Sequence, residues 1–180
     1  MGTSKSELRK NILAQLRSTT GQMHSQQEAL SNNLIRFLAN QQGTWAAYAN
    51  LPEEASVDVG VHSSPHLRWV YPRVEGSHLQ FVSPLNFSKG AFGILEPVSD
   101  QAPIAVSDLN GLLIPGLMFD KKGTRLGRGK GFYDRALQGS SGLKVGVAWS
   151  FQVLSQQNLP QEEHDIFMDV LITEDSIIEF

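Results

Sequence analysis

Within residues 112–135, read as LLIPGLMFDKKGTRLGRGKGFYDR, Gly127, Gly129 and Gly131 occupy alternate positions. They are interleaved with Arg128 and Lys130, and Arg125 stands just ahead of them. Glycines this close together remove the Cβ atoms from a loop, so its backbone N–H groups can approach an anion. The cations between them supply charge for phosphate oxygens, arginine as a bidentate fork and lysine as a mobile point charge. Downstream, Phe132-Tyr133-Asp134-Arg135-Ala136-Leu137 predicts a short helix that Gly139 is placed to end. The positive end of its dipole also favours an anion. Upstream, Leu112-Leu113-Ile114, stopped by Pro115-Gly116, predicts a short buried strand. The stretch reads as strand, phosphate-cradling loop and helix N-terminus.

The spacing matches neither common phosphate motif. A P-loop needs glycine where Thr124 stands and Ser or Thr where Gly131 stands, and a dinucleotide fingerprint needs its third glycine at Phe132. On the glycines alone, a flexible basic surface loop accounts for the pattern as well.

The elements that must position this loop are set by the rest of the chain. With 180 residues, 41% hydrophobic and 18% charged, the composition is that of a soluble globular protein. One domain over 1–180 with a sizeable core is expected. A formal net charge of −3 argues against a broad nucleic-acid-binding face, and the absence of cysteine excludes disulfides, thiol nucleophiles and thiolate zinc sites. Lys5, Glu7, Arg9 and Lys10 near the start leave no apolar block for a signal peptide. No apolar run approaches the ~20 residues of a membrane span, so a cytoplasmic location is expected. Ser4-Lys5-Ser6-Glu7 and Ser25-Gln26-Gln27-Glu28 have the capping-box form, followed by apolar residues at helical spacing. They predict amphipathic helices over 5–18 and 26–40. Lys5 and Arg9, four apart, share a helix face, which from the residues alone an ordinary solvated surface explains better. Strands are predicted over 44–50, 57–61, 68–74, 78–83, 144–149 and 170–173, a helix or turn over 151–154, and a linker over 98–107. Alternating strands and helices with short turns predict an α/β fold with a mainly parallel sheet.

Taken whole, Pro-Gly, Phe-Asp, Gly-x-Arg-Leu-Gly-Arg-Gly-Lys-Gly and Tyr-Asp resembles the signature of the 5-formyltetrahydrofolate cyclo-ligases (5,10-methenyltetrahydrofolate synthetases). Weaker matches run from Lys5 to about Thr173: Lys5-Ser6-Glu7-Leu8-Arg9, Tyr71-Pro72-Arg73 and Gly93-Ile94-Leu95-Glu96-Pro97. The resemblance implies a three-layer, Rossmann-like fold related to ribose-phosphate isomerase and CoA-transferase domains. It implies ATP- and Mg²⁺-dependent conversion of 5-formyltetrahydrofolate to 5,10-methenyltetrahydrofolate, with a reduced folate as partner and neither nucleic acid nor membrane. ATP would meet Lys5, Arg9, Arg125, Leu126, Gly127, Arg128, Gly129, Lys130, Gly131, Phe132 and Tyr133. The folate would meet Glu54, Arg128, Gly129, Lys130, Gly131 and Phe132, with the adjacent Glu53 leaving the glutamate's register open. Phe132 stands where the family commonly has tyrosine, so stacking survives there but a hydroxyl contact does not. Arg128 and Lys130 are the candidate catalytic residues. Asp134 and Asp165 match the family's magnesium ligands, Asp169 being the weaker match for the second. A zinc site is disfavoured because His164 has no partner at usable spacing, with His24, His62, His66 and His78 scattered. Two rivals are a sugar-phosphate isomerase or CoA-transferase relative, which the Arg-Leu-Gly-Arg-Gly-Lys-Gly string opposes, and a non-catalytic nucleotide- or folate-binding module.

Overall fold

The computed structural model describes residues 4–90, 93–155, 158–162 and 165–180. In chain order the elements are α1 (Lys5–Thr19), α2 (His24–Leu38), β1 (Thr44–Ala46), α3 (Asp58–His62), β2 (Arg68–Glu75), β3 (His78–Val82), β4 (Asn86–Lys89), β5 (Leu95–Val98), β6 (Gly111–Pro115), β7 (Met118–Asp120), β8 (Arg125–Leu126), α4 (Phe132–Ala136), β9 (Leu143–Val147), β10 (Val153–Leu154), β11 (Val170–Ile172) and β12 (Ile177–Glu179).

Seven strands form the central sheet in the order β12-β11-β9-β6-β1-β2-β3. The inner five are mutually parallel, and β12 and β3 close the two edges antiparallel. The α/β reading with a mainly parallel sheet therefore holds. A parallel strand is covered on both faces, which is why β6 reads as an unbroken apolar run. Its residues alternate between two cores. Leu113 packs in a cluster with Leu16, Leu30, Leu34 and Trp45, the α1/α2 side. Leu112 and Ile114 pack with Phe119, Leu137 and Leu171 on the other. Among the described residues no helix is long and apolar enough to cross a membrane.

Several local expectations are corrected. The first capping box forms in part, the Ser4 hydroxyl accepting from Glu7 N at 3.3 Å. The second does not: α2 begins at His24, so Ser25 lies inside the helix and its hydroxyl donates to Gln26 Oε1 at 2.9 Å. Residues 57–61 are predominantly helical (α3), not a strand. Val57, Val59 and Val61 look like period-two alternation, but Val57 and Val61, four apart, are buried while Val59 is 51% exposed. Gly60 helps α3 sit against α2, since a Cβ there would lie 3.0 Å from Leu34 Cβ. The strand expected over 44–50 ends at Ala46. Within the expected linker, Ile104 forms a bridge to Phe81.

The largest departure concerns the phosphate loop itself. β6 does not run straight into it. The β7–β8 hairpin intervenes, joined by β10 into a separate three-stranded sheet. Asp120, fully buried, organises the hairpin by accepting from Lys122 N, Thr124 N and Leu159 N at 2.9, 3.0 and 2.9 Å. Gln152 ties the hairpin's entry to the sheet, donating to Gly116 O and Leu117 O at 2.9 and 3.0 Å. The glycine run thus hangs between β8 and α4.

Candidate active site

A cavity of about 360 Å³ opens where β1 and β6 end. Its walls are Tyr48, Leu51 and Glu54 after β1, Pro72 and Val74 of β2, and Ile94, Leu95 and Glu96 at β5. Pro115 and Gly116 follow from β6, and Arg125, Gly127, Arg128, Lys130, Gly131, Phe132, Tyr133 and Asp134 complete it. Carboxyl ends of parallel strands are where α/β sheets leave room for ligands. The apolar walls suit a flat ring system, and the cations gather on one side.

Arg125 belongs to β8 and is 7% exposed. Its guanidinium donates to Asp134 Oδ1 at 2.7 Å and to Pro115 O at 3.2 Å, and lies 5.6 Å from the Tyr133 ring centroid. Among the described residues its buried Nε finds no hydrogen-bond partner. Gly127 makes space for it, because a Cβ there would fall 2.9 Å from Arg125 Nη1. Leu126 turns its side chain into the core, 1% exposed, so only its backbone can serve a nucleotide.

Arg128 lies at the cavity and reaches across to the loop after β1. Its Nε and Nη2 donate to Glu54 Oε1 at 3.0 and 2.9 Å, and Nη2 also to Glu53 Oε1 at 3.0 Å. Glu54 lines the cavity and Glu53 does not. The second Glu54 oxygen accepts from Leu51 N at 3.0 Å. Burial pushes the Glu53 carboxyl up, but hydrogen bonds from its own backbone and Arg128, with the charges of Arg128 and Arg17, outweigh that and hold it below the usual range. Burial, with Glu54 beside it and Arg125 opposing, pushes the Tyr133 hydroxyl up. Tyr48, whose hydroxyl donates to Ala55 O at 2.7 Å, is raised by burial and then by Glu54, Tyr133 and Asp58.

Of the α1 cations, Arg9 contacts the loop, and neither Arg9 nor Lys5 lines the cavity. Arg9 Nε donates to Gly127 O at 2.9 Å, and a Cβ on Gly129 (φ +95°) would lie 3.4 Å from Arg9 Cζ. Lys5 is paired with Asp165 at 2.8 and 3.2 Å and with Glu162 at 3.4 Å. The structure thus brings Arg125, Arg128, Lys130, Gly131, Phe132, Tyr133, Glu54 and Asp134 to one cavity, and leaves Lys5, Arg9, Gly129 and Asp165 off its wall. The apolar wall from Pro72, Val74, Leu79, Ile94 and Leu95 was not foreseen as part of the site. Only Pro72 and the 93–97 string carried any signal.

Among the described residues no three His, Cys, Asp or Glu side chains converge for a metal ion. Glu163 and His164 lie outside the described residues. Magnesium needs only one or two carboxylates besides nucleotide phosphates and water. Asp134, at the cavity wall with its side chain 20% exposed, fits that demand. Asp165 is engaged by Lys5, and its Oδ2 also accepts from Glu162 N at 2.8 Å.

Residues 1–174 match the model of the 5-formyltetrahydrofolate cyclo-ligase family. A 5-formyltetrahydrofolate cyclo-ligase from Haemophilus influenzae is 28% identical over 188 residues, spanning 96% of this chain and all of that protein. The Escherichia coli enzyme of that name is 40% identical over 86 residues, 46% of this chain and 45% of that one. The NMR structure of Aquifex aeolicus 5,10-methenyltetrahydrofolate synthetase superposes with a TM-score of 0.81 at 35% identity, covering 97% of this chain and 92% of that one. The Mycoplasma pneumoniae 5,10-methenyltetrahydrofolate synthetase gives 0.79 at 25% identity, covering 96% and 99%.

Proposed function

The chain belongs to the 5-formyltetrahydrofolate cyclo-ligase family, and from that premise we propose that it converts 5-formyltetrahydrofolate to 5,10-methenyltetrahydrofolate with Mg²⁺-dependent hydrolysis of ATP. The observation that carries this reading is the cavity, which gathers Arg125, Arg128, Lys130 and Glu54 with apolar lining residues. A formyl amide is a poor electrophile and its oxygen a poor leaving group. In the proposed reaction the formyl oxygen attacks the γ-phosphorus of ATP and ADP departs. N10 then attacks the activated carbon, phosphate leaves with the electron pair of the C–O bond, and the N10 proton passes to solvent.

Phosphoryl transfer asks the protein for positioning and charge stabilisation. Lys130 and Arg125 bind phosphate oxygens. Arg128 leaves its glutamates for the transferring phosphoryl group, and Glu54 is thereby released to accept from folate N–H groups. Phe132 and Tyr133 supply ring faces. Lys5 and Arg9 reach the nucleotide from α1. Asp134, through its second oxygen with Arg125 kept in place, and Asp165, after giving up Lys5, would hold the magnesium, and the ion would neutralise charge on the phosphates. The proposal extends to residues 1–180 as one folding unit and to a fold kinship with ribose-phosphate isomerase and CoA-transferase domains. Absorbance of the methenyl product, followed with and without Mg-ATP, tests the activity. Product should form only with both, alongside ADP, and ADP release without methenyl product would overturn it.

A further inference from the structure

Arg9 meets the start of the glycine loop, and Arg135, in α4, meets its end. Its Nη2 donates to Lys130 O at 3.0 Å and to Ser77 O at 2.8 Å, and its Nε to Ser77 O at 3.2 Å. The guanidinium carbon sits 5.4 Å from the Phe132 ring centroid. One planar fork therefore joins three things: the loop backbone, the turn between β2 and β3, and a ring on the cavity wall. Gly131 makes the arrangement possible twice over. It holds φ +66°, and a Cβ on it would come 2.7 Å from Arg135 Nη1.

We propose that Arg135 is a positioning residue for the glycine loop, pinning the Lys130 peptide to the β2–β3 turn so that Lys130 and the Gly131 N–H are presented to phosphate. The proposal rests on the functional reading above for its ligand, and on the contacts alone for its mechanics. A trans peptide is planar, with C=O and N–H on opposite sides, and none of the described peptide bonds is cis. Fixing Lys130 O on Arg135 consequently aims the Gly131 N–H away from the turn. Fixing Gly127 O on Arg9 aims the Arg128 N–H away from α1 in the same manner. The loop is suspended by its carbonyl oxygens between two guanidinium groups, which keeps those oxygens from turning toward an anion they would repel. Lysine is a poorer substitute for Arg135, because an ammonium cannot lie flat on the Phe132 ring while giving Ser77 O the second donor that Nε supplies.

The test uses the ligand-free protein and trypsin, because the loop carries the cleavage sites Arg128 and Lys130. Cleavage after these two residues, read by mass spectrometry, should be about tenfold faster in Arg135→Ala at unchanged Tm, as expected for the loss of one charge-assisted contact. In the same variant KM for ATP should rise more than kcat falls. Methylguanidinium should restore part of the loss, and Arg135→Lys should recover less than the added guanidinium. Wild-type cleavage rate and wild-type KM in Arg135→Ala would overturn the proposal. Should that variant fold poorly, Arg135→Lys decides, and its matching the unaltered protein in both cleavage and KM overturns the proposal equally. If the unaltered protein shows no turnover, the folate reading fails on its own. Trypsin then judges the proposal alone: faster cleavage supports it and unchanged cleavage refutes it.

Discussion

Arg125 and Arg128 stand three residues apart in one motif yet belong to different regions. Arg125 is built into the β7–β8 hairpin, its side chain 4% exposed, held by one carboxylate, one carbonyl and the face of Tyr133. Arg128 lies on the glycine loop, its side chain 35% exposed, and its partners are two glutamates on another segment. A desolvated ion pair cannot be parted cheaply, since each charge left alone lies in a low dielectric. A solvent-facing pair gains little from the contact and exchanges partners readily. The same residue type therefore serves as a fixed wall charge in one region and as a movable charge in the other. The proposed phosphoryl-transfer role falls to the movable one.

The sharpest way to break this comparison is Arg128→Ala. A donor that meets charge developing in the transition state should lower kcat by on the order of a hundredfold or more when removed, while ATP affinity falls much less. Arg9→Ala should do the opposite, raising KM for ATP with little change in kcat. Steady-state kinetics of the two variants would sink the assignment of Arg128 if both changed KM alone.

Arg125→Ala should weaken ATP binding by roughly 1.5–3 kcal/mol and should also lower Tm, which Arg128→Ala should not. The reason is Asp134, left without its cation at the cavity wall. Calorimetry on Arg125→Ala, Asp134→Asn and the double variant measures the coupling. Additive losses would mean that the two side chains are not the linked unit the 2.7 Å contact describes.

The difference between these arginines was not legible in the sequence. The interleaved glycines and cations are contiguous, so their place on one loop at the cavity could be read directly, as could the buried strand at 112–114. What hid Arg125 was the β7–β8 hairpin, whose two-residue second strand falls below any periodicity signal. The opposite wall is assembled from Tyr48, Val74, Leu79 and Ile94, which come together only when the strands order as they do. Sheet order is a long-range property that no local pattern encodes. Asp165 resembled a magnesium ligand by its place before the last parallel strand, and its pairing with Lys5 160 residues away could not be read locally. Arg135 looked like the tail of a short helix because its carbonyl partners are backbone groups, which carry no residue type to recognise.

Tyrosine chemistry sharpens the picture of the buried wall. All three tyrosines are raised, Tyr71 to about 12 by burial and by Asp58, and Tyr48 and Tyr133 upward with burial as the leading cause. Raised folded values contribute stability that is complete below the unfolded value near 10 and is lost as pH climbs through the folded ones. Stability should therefore decline above about pH 10, with tyrosinate absorbance appearing together with loss of tertiary circular dichroism. Tyrosinate forming near pH 10 in a folded protein would show these hydroxyls to be solvated.

The smallest expected effect probes the movable side. Glu53 shares Arg128 with Glu54 but stays outside the cavity, so it tethers the arginine without facing the ligand. Glu53→Gln keeps the shape and removes the charge. Because the Arg128 side chain is 35% exposed, the loss at neutral pH should stay under about 1 kcal/mol, well below that of the Arg125 pair. The sign of its pH dependence follows from the lowered Glu53 carboxyl. A depressed folded value contributes stability above the unfolded pKa and loses it as pH falls through the folded one. Wild type and Glu53→Gln should differ most near neutrality and converge in acid, which urea midpoints across that range would follow. A cost matching that of Arg125→Ala, or a gap that widens in acid, would mean that Arg128 is anchored as firmly as Arg125 and is not the charge that moves.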